Sequence, residues 1–154
     1  MPWASDAVTE SSLALSNLIG RYAECIDQGD FDGAADLLQE AVVADVDGGR
    51  RLAGRDAIRE LFASTARLYE DGTPRTKHVT TNLVLDIDEP SGRATARSYF
   101  TVLQAVEGLP LQPILAGRYL DAFERRDGTW RFAERRFAVD LVGDVSHHVR
   151  TALP

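Results

Sequence analysis

Few side chains in this 154-residue sequence exchange protons near neutral pH, because it holds only three histidines. One of them, His78, stands in Thr76-Lys77-His78-Val79-Thr80-Thr81-Asn82, at the start of a β-rich second half. A carboxylate, Asp27, closes the run Arg21-Tyr22-Ala23-Glu24-Cys25-Ile26-Asp27 near the end of an amphipathic segment. A histidine held by a buried carboxylate is the simplest arrangement for abstracting a proton, so whether these two meet decides the functional reading. Tyr22 and Tyr119 are candidates to hold a substrate oxygen through a phenol, although each also suits a core position with a satisfied hydroxyl.

The elements that must position these groups follow from periodicity. Apolar residues at Leu15, Leu18, Ile19, Tyr22, Cys25 and Ile26 recur at helical spacing after a lead-in over residues 1–10, with Ser11 or Ser12 as cap. Gln28-Gly29-Asp30 breaks this helix, and Asp30 caps a short second one from Phe31 to Leu38. Ala41 to Val46 reads as a short strand ending at Asp47-Gly48-Gly49. A third helix is expected over Arg55 to Tyr69, stopped by Asp71-Gly72-Thr73-Pro74. Four long strands then follow, Lys77–Asp88, Arg93–Val106, Ile114–Arg125 and Thr129–Val142, the last two joined by a turn of the Asp-Gly type at Asp127-Gly128. Helices first and a meander of strands after give an α+β domain with its helices on one sheet face. A curved sheet covered that way leaves a cavity between the layers.

Strand alternation assigns faces. His78, Thr80, Asn82 and Val84 share the more polar face of their strand, which makes Asn82 a candidate substrate contact. In the next strand Ala94, Ala96, Ser98, Phe100 and Val102 face one way, which makes Phe100 a candidate wall of the cavity. On the last strand the apolar face switches between Phe132 and Phe137, a sign of a bulge that lets Arg136 or Arg135 point inward. An inward arginine is costly unless paired, so it would hold an anion or pair with Glu134, Asp121 or Asp140.

Composition bounds the rest. The chain is 44% apolar and 27% charged, with a net charge of −7 and a pI near 4.9. That is the profile of a globular domain without the cationic surface that nucleic acid or anionic lipid requires. A single cysteine, Cys25, leaves no internal disulfide and fits a reducing cytoplasm. No targeting segment or transmembrane run is expected. The adjacent His147 and His148 would point apart on a strand and cannot readily share an ion, so no metal site is expected. There is no phosphate-cradling glycine loop.

The chain resembles the SnoaL-like branch of the nuclear transport factor 2-like superfamily over about residues 10 to 148 of one domain spanning 1–154. Four patterns carry the resemblance: Arg21-Tyr22-Ala23 with Asp27 and Gly29-Asp30-Phe31; Gly54-Arg55-Asp56-Ala57-Ile58; Lys77-His78 with Thr81-Asn82; and Gly117-Arg118-Tyr119 through Asp127-Gly128-Thr129-Trp130-Arg131-Phe132 to Arg135-Arg136. It implies a cone-shaped barrel, a curved and mostly antiparallel sheet wrapped around three N-terminal helices and enclosing a cavity. In the branch that holds scytalone dehydratase and lindane dehydrochlorinase, a strand histidine is the general base and a helix aspartate orients it, positions matched by His78 and Asp27. The dehydrochlorinase adds an arginine that helps bind the leaving group, matched by Arg136 or Arg135. The second histidine that scytalone dehydratase carries on its middle strands has no counterpart here.

Two functions are therefore expected in competition. One is a cofactor-independent lyase or isomerase, acting on a small apolar or aromatic molecule through Asp27 and His78. The other is a non-catalytic ligand-binding or accessory subunit using the same cavity. The uncovered sheet face predicts a homodimer or homotrimer.

Overall fold

The computed structural model describes residues 6–150. Three helices, α1 (Asp6–Asp27), α2 (Phe31–Leu37) and α3 (Arg55–Thr65), pack on six strands. The strands are β1 (Val42–Asp45), β2 (Arg51–Ala53), β3 (Thr76–Asp88), β4 (Arg93–Val106), β5 (Leu109–Arg126) and β6 (Thr129–Val142). They form one sheet in the order β2-β1-β6-β5-β4-β3. Every neighbouring pair is antiparallel except β1 and β6, which run parallel. This is the expected α+β architecture, with one correction: the sheet is open, with β2 and β3 at its edges, and is not closed into a barrel.

Burial in β4 alternates strictly from Arg93 to Phe100, so Ala94, Ala96, Ser98 and Phe100 face the helices. Leu15 and Ile19 of α1 and Ile58 of α3 cluster with Ala94, Ala96, Phe123, Trp130 and Phe132. The Trp130 indole N–H donates to Ser11 Oγ at 2.9 Å and ties β6 to α1. Ser11 is thus a buried residue inside the helix and not its cap. Residues 6–10, expected as a lead-in, are helical, and residues 1–5 lie outside the described residues.

Two irregularities decide which side chains face inward. In β3 the pairing with β4 shifts between Thr81 and Val84, where Asn82 adopts a φ of 54°. Thr76, His78 and Thr80 are turned toward the helices before that bulge, and Leu85 and Ile87 after it. In β6 Phe132 pairs with Phe123 and Glu134 with Ala122, so Ala133 is the extra residue. The inward set therefore passes from Trp130 and Phe132 to Arg135 and Phe137. Between the two, Gly117 of β5 is required by crowding: a Cβ there would lie 1.9 Å from the Ala138 carbonyl oxygen and 2.7 Å from the Phe100 ring.

Two element boundaries also differ from expectation. Helix α3 stops at Thr65 because Ala66 turns extended and bridges Val149, which brings the C-terminal segment across the helix end. Strand β2 was not anticipated, and β5 begins at Leu109, so the β4–β5 turn shrinks to Glu107-Gly108.

Candidate functional site

Asp27 is the last residue of α1, and the chain is turned away immediately after it. The Gly29 N–H donates to the Ile26 carbonyl at 3.0 Å and the Asp30 N–H to the Cys25 carbonyl at 2.9 Å, with Gly29 at a φ of 73°. That is the Schellman pattern of a helix C-terminus. A carboxylate here opposes the helix dipole and needs compensation. Three donors supply it. The His78 backbone N–H donates to Oδ2 at 2.7 Å, the Thr76 hydroxyl to Oδ1 at 2.8 Å, and His78 Nδ1 lies 2.6 Å from Oδ1. Burial pushes the Asp27 pKa up, but the His78 and Thr76 hydrogen bonds and the charge of His78 outweigh it and hold it below the usual carboxylate range. Asp27 is therefore an anion.

An anion can only accept, so neutral His78 carries its proton on Nδ1 and its lone pair on Nε2. The side chains of His78 and Asp27 are 10% and 8% exposed. His78 lines a cavity of about 650 Å³ between the helices and the sheet, while Asp27 stands behind it and is not part of the wall. A second depression of about 620 Å³ is lined by Gly29, Asp32, Arg59 and Arg150 and includes neither group. The chemistry belongs to the first.

The cavity floor is built around Arg135. Its side chain is 1% exposed and makes a bidentate pair with Asp121 on the neighbouring strand, both contacts at 2.8 Å. Its guanidinium lies 4.2 Å from the Tyr22 ring centroid and 3.9 Å from that of Tyr119. Burial works against the cation, but Asp121 more than offsets it, so the Arg135 pKa is raised. Burial likewise raises Tyr22 and Tyr119, which keeps both phenols protonated as donors. Phe100 stacks on Tyr119 at 4.5 Å. The floor thus presents a cation and two phenols under an aromatic wall, a surface suited to a developing oxyanion.

Of the side chains singled out in the sequence, His78, Tyr22, Tyr119 and Phe100 line the cavity. Asn82 does not: it sits exposed on the β3 bulge, because the bulge reverses the alternation on which its inward placement depended. Arg136 does not either. It faces outward beside Glu134 at 3.9 Å with 42% of its side chain exposed, because Ala133 shifts the inward position to Arg135.

Thr76 and His148 were not foreseen as site residues. His148 comes from the segment following β6 and lines the same cavity at 8% exposure. Burial, with a further push from His78 against a pull from Asp27, lowers its pKa to about 4. Among the described residues no group of three or more His, Cys, Asp or Glu side chains is arranged to hold a metal ion.

The lowered His148 pKa has a stability consequence. The unfolded chain, with an ordinary histidine pKa near 6.5, takes up this proton at a higher pH than the folded protein does. Stability is therefore expected to fall as pH drops from about 6.5 toward 4, by up to roughly 3 kcal/mol. Asp27 contributes in a separate window, since its stabilisation is lost only as pH falls below the ordinary carboxylate range. Urea midpoints measured across this pH range should flatten in His148→Gln, and an unaltered slope would contradict the neutral buried state.

The family model described as a SnoaL-like domain matches residues 7–136. Among solved structures, a protein of unknown function from Mycobacterium tuberculosis is 26% identical, with 93% of this chain and 79% of that chain covered at a TM-score of 0.73. A candidate scytalone dehydratase from Novosphingobium aromaticivorans is 23% identical over 97% and 96% of the two chains, TM-score 0.71. The β subunit of a candidate aromatic-ring-hydroxylating dioxygenase from the same organism is 16% identical over 89% and 94%, TM-score 0.70. The last two share the fold. A search of curated proteins returned no match. With most of its length matched by the family model and its cavity formed between three helices and a six-stranded sheet, the chain belongs to the SnoaL-like domain family.

Proposed function

We propose that this protein is a cofactor-independent lyase or isomerase acting on a small apolar or aromatic molecule. His78 Nε2 takes a proton from a carbon made acidic by a neighbouring carbonyl, and the electron pair left behind either forms a double bond as a group departs or delocalises onto the carbonyl oxygen. Asp27 fixes the imidazole tautomer and stabilises the imidazolium. Tyr22, Tyr119 and Arg135 hold the oxygen on which charge accumulates. The observation that carries this reading is the 2.6 Å contact between Asp27 and His78 at the wall of an aromatic-lined cavity. The likeness to a candidate scytalone dehydratase supports it by analogy of fold.

A non-catalytic accessory role is the alternative, favoured by the likeness to a dioxygenase β subunit. It gives no reason for a buried carboxylate to spend three hydrogen bonds on one histidine and its strand. A cytoplasmic setting accords with the single cysteine, and no helix among the described residues is long and apolar enough to cross a membrane. Exposed Tyr99, Leu111 and Leu141 support a homodimer or homotrimer, which light scattering would read directly.

Mass analysis of any small molecule retained by purified His78→Gln tests the substrate class. An apolar or aromatic molecule with a C–H bond next to a carbonyl is the expected occupant. One without an acidic C–H bond would favour the accessory reading.

A further inference from the structure

His148 is buried without a use in the fold. Its Nδ1 is enclosed and has no hydrogen-bond partner, and no group among the described residues bonds to the ring. A buried imidazole loses its hydration and regains nothing unless something in the cavity binds it. The neighbouring polar groups are each tied to a protein partner, His78 through Nδ1 to Asp27 and Arg135 through Nε and Nη2 to Asp121, with Arg135 Nη1 left free for the developing charge, whereas the His148 ring is tied to none.

The backbone that carries His148 is, by contrast, clamped. The His148 carbonyl accepts from the Arg67 N–H at 2.8 Å, its own N–H donates to the Val145 carbonyl at 3.0 Å, and the Arg150 N–H donates to the Thr65 carbonyl at 2.9 Å. One residue earlier, the His147 carbonyl accepts from the Tyr69 hydroxyl at 2.5 Å and from Gln104 Nε2 at 3.2 Å. Helix α3 is cut short so that this strap can cross its end. A ring so firmly placed, unpartnered, in the wall shared with His78, is a preorganised contact for a ligand.

We propose that His148 recognises an oxygen of the ligand, its ring hydrogen-bonding a hydroxyl on the apolar molecule that His78 deprotonates. This rests on the function proposed above and narrows it to hydroxyl-bearing ligands. Nδ1 is enclosed, so the ligand meets Nε2, and a hydroxyl complements that nitrogen whether it carries the proton or the lone pair. The contact places the ligand without adding a charge to a cavity wall that already holds the Asp27–His78 pair.

Two probes of the same shape test it, 2-naphthol and 2-methylnaphthalene, which differ by a hydroxyl for a methyl. Wild-type protein should bind 2-naphthol at least about tenfold more tightly than 2-methylnaphthalene. His148→Phe, which keeps a planar ring, should erase that preference, whereas His78→Gln should keep it. The ¹⁵N resonances of the wild-type His148 ring, which need no variant, should move as naphthol saturates the protein. An undiminished preference in His148→Phe, or unmoved His148 resonances at saturation, would overturn the proposal. Turnover lost in His78→Gln alongside an undiminished preference in His148→Phe would sink the oxygen contact alone. Preference erased in His148→Phe alongside turnover that survives His78→Gln would sink the base assignment and leave the oxygen contact standing.

Discussion

Asp27→Asn is expected to lower kcat by about 10²- to 10⁴-fold while leaving the fold intact. The amide has nearly the shape of the carboxylate, and its oxygen takes the Oδ2 position, where it still accepts from the His78 N–H, because an N–H₂ there would face that donor. What changes is the group facing Nδ1. An amide N–H₂ there is a donor, so the imidazole must turn its lone pair toward it and carry its proton on Nε2. The cavity then meets an N–H where it needs a base, and no carboxylate remains to stabilise the imidazolium. Thermal melting beside kcat on the retained class of compound separates the two effects. A rate within a few-fold of wild type in a folded Asp27→Asn protein would remove Asp27 from the mechanism.

The second large effect is on stability. Asp121→Asn strips the negative charge from a pair buried to within a few per cent, leaving the Arg135 guanidinium unbalanced against two tyrosine rings. Breaking one partner of such a pair costs about 3–5 kcal/mol, a large part of the stability of a domain this size. Replacing both partners with apolar residues, Asp121→Leu with Arg135→Met, is expected to recover most of that loss, because the cost lies in the orphaned charge more than in the missing bond. Urea unfolding of the single and double variants gives the comparison. A single variant less than about 1 kcal/mol below wild type would mean that the charge finds solvent, contrary to its enclosure. The double variant would also lose the cation under the tyrosines, so its restored stability should come without restored turnover.

What the sequence disclosed and what it withheld divide along physical lines. The α1 stripe, the alternation of β4 and the Asp-Gly turn before β6 rest on local periodicity and were legible. The Asp27–His78 contact joins positions 51 residues apart, and no local rule brings them together; the family resemblance suggested it. Arg135 and Arg136 could not be separated because a single extra residue, Ala133, reverses the inward face. A separate bulge, in β3, turned Asn82 outward; its left-handed conformation is one that asparagine tolerates better than most residues. His148 was hidden by the assumption of a strand, when its placement depends on the pairing of Ala66 with Val149.

Removal of a proton from carbon by His78 is the step on which the proposed function turns. It is tested most directly in D₂O, by following the acidic C–H of hydroxyl-bearing aryl ketones by proton NMR with wild-type protein and with His78→Ala. Exchange or elimination is expected with the wild type, and a rate at least about 10²-fold slower with the variant. Equal rates in the two proteins would contradict it.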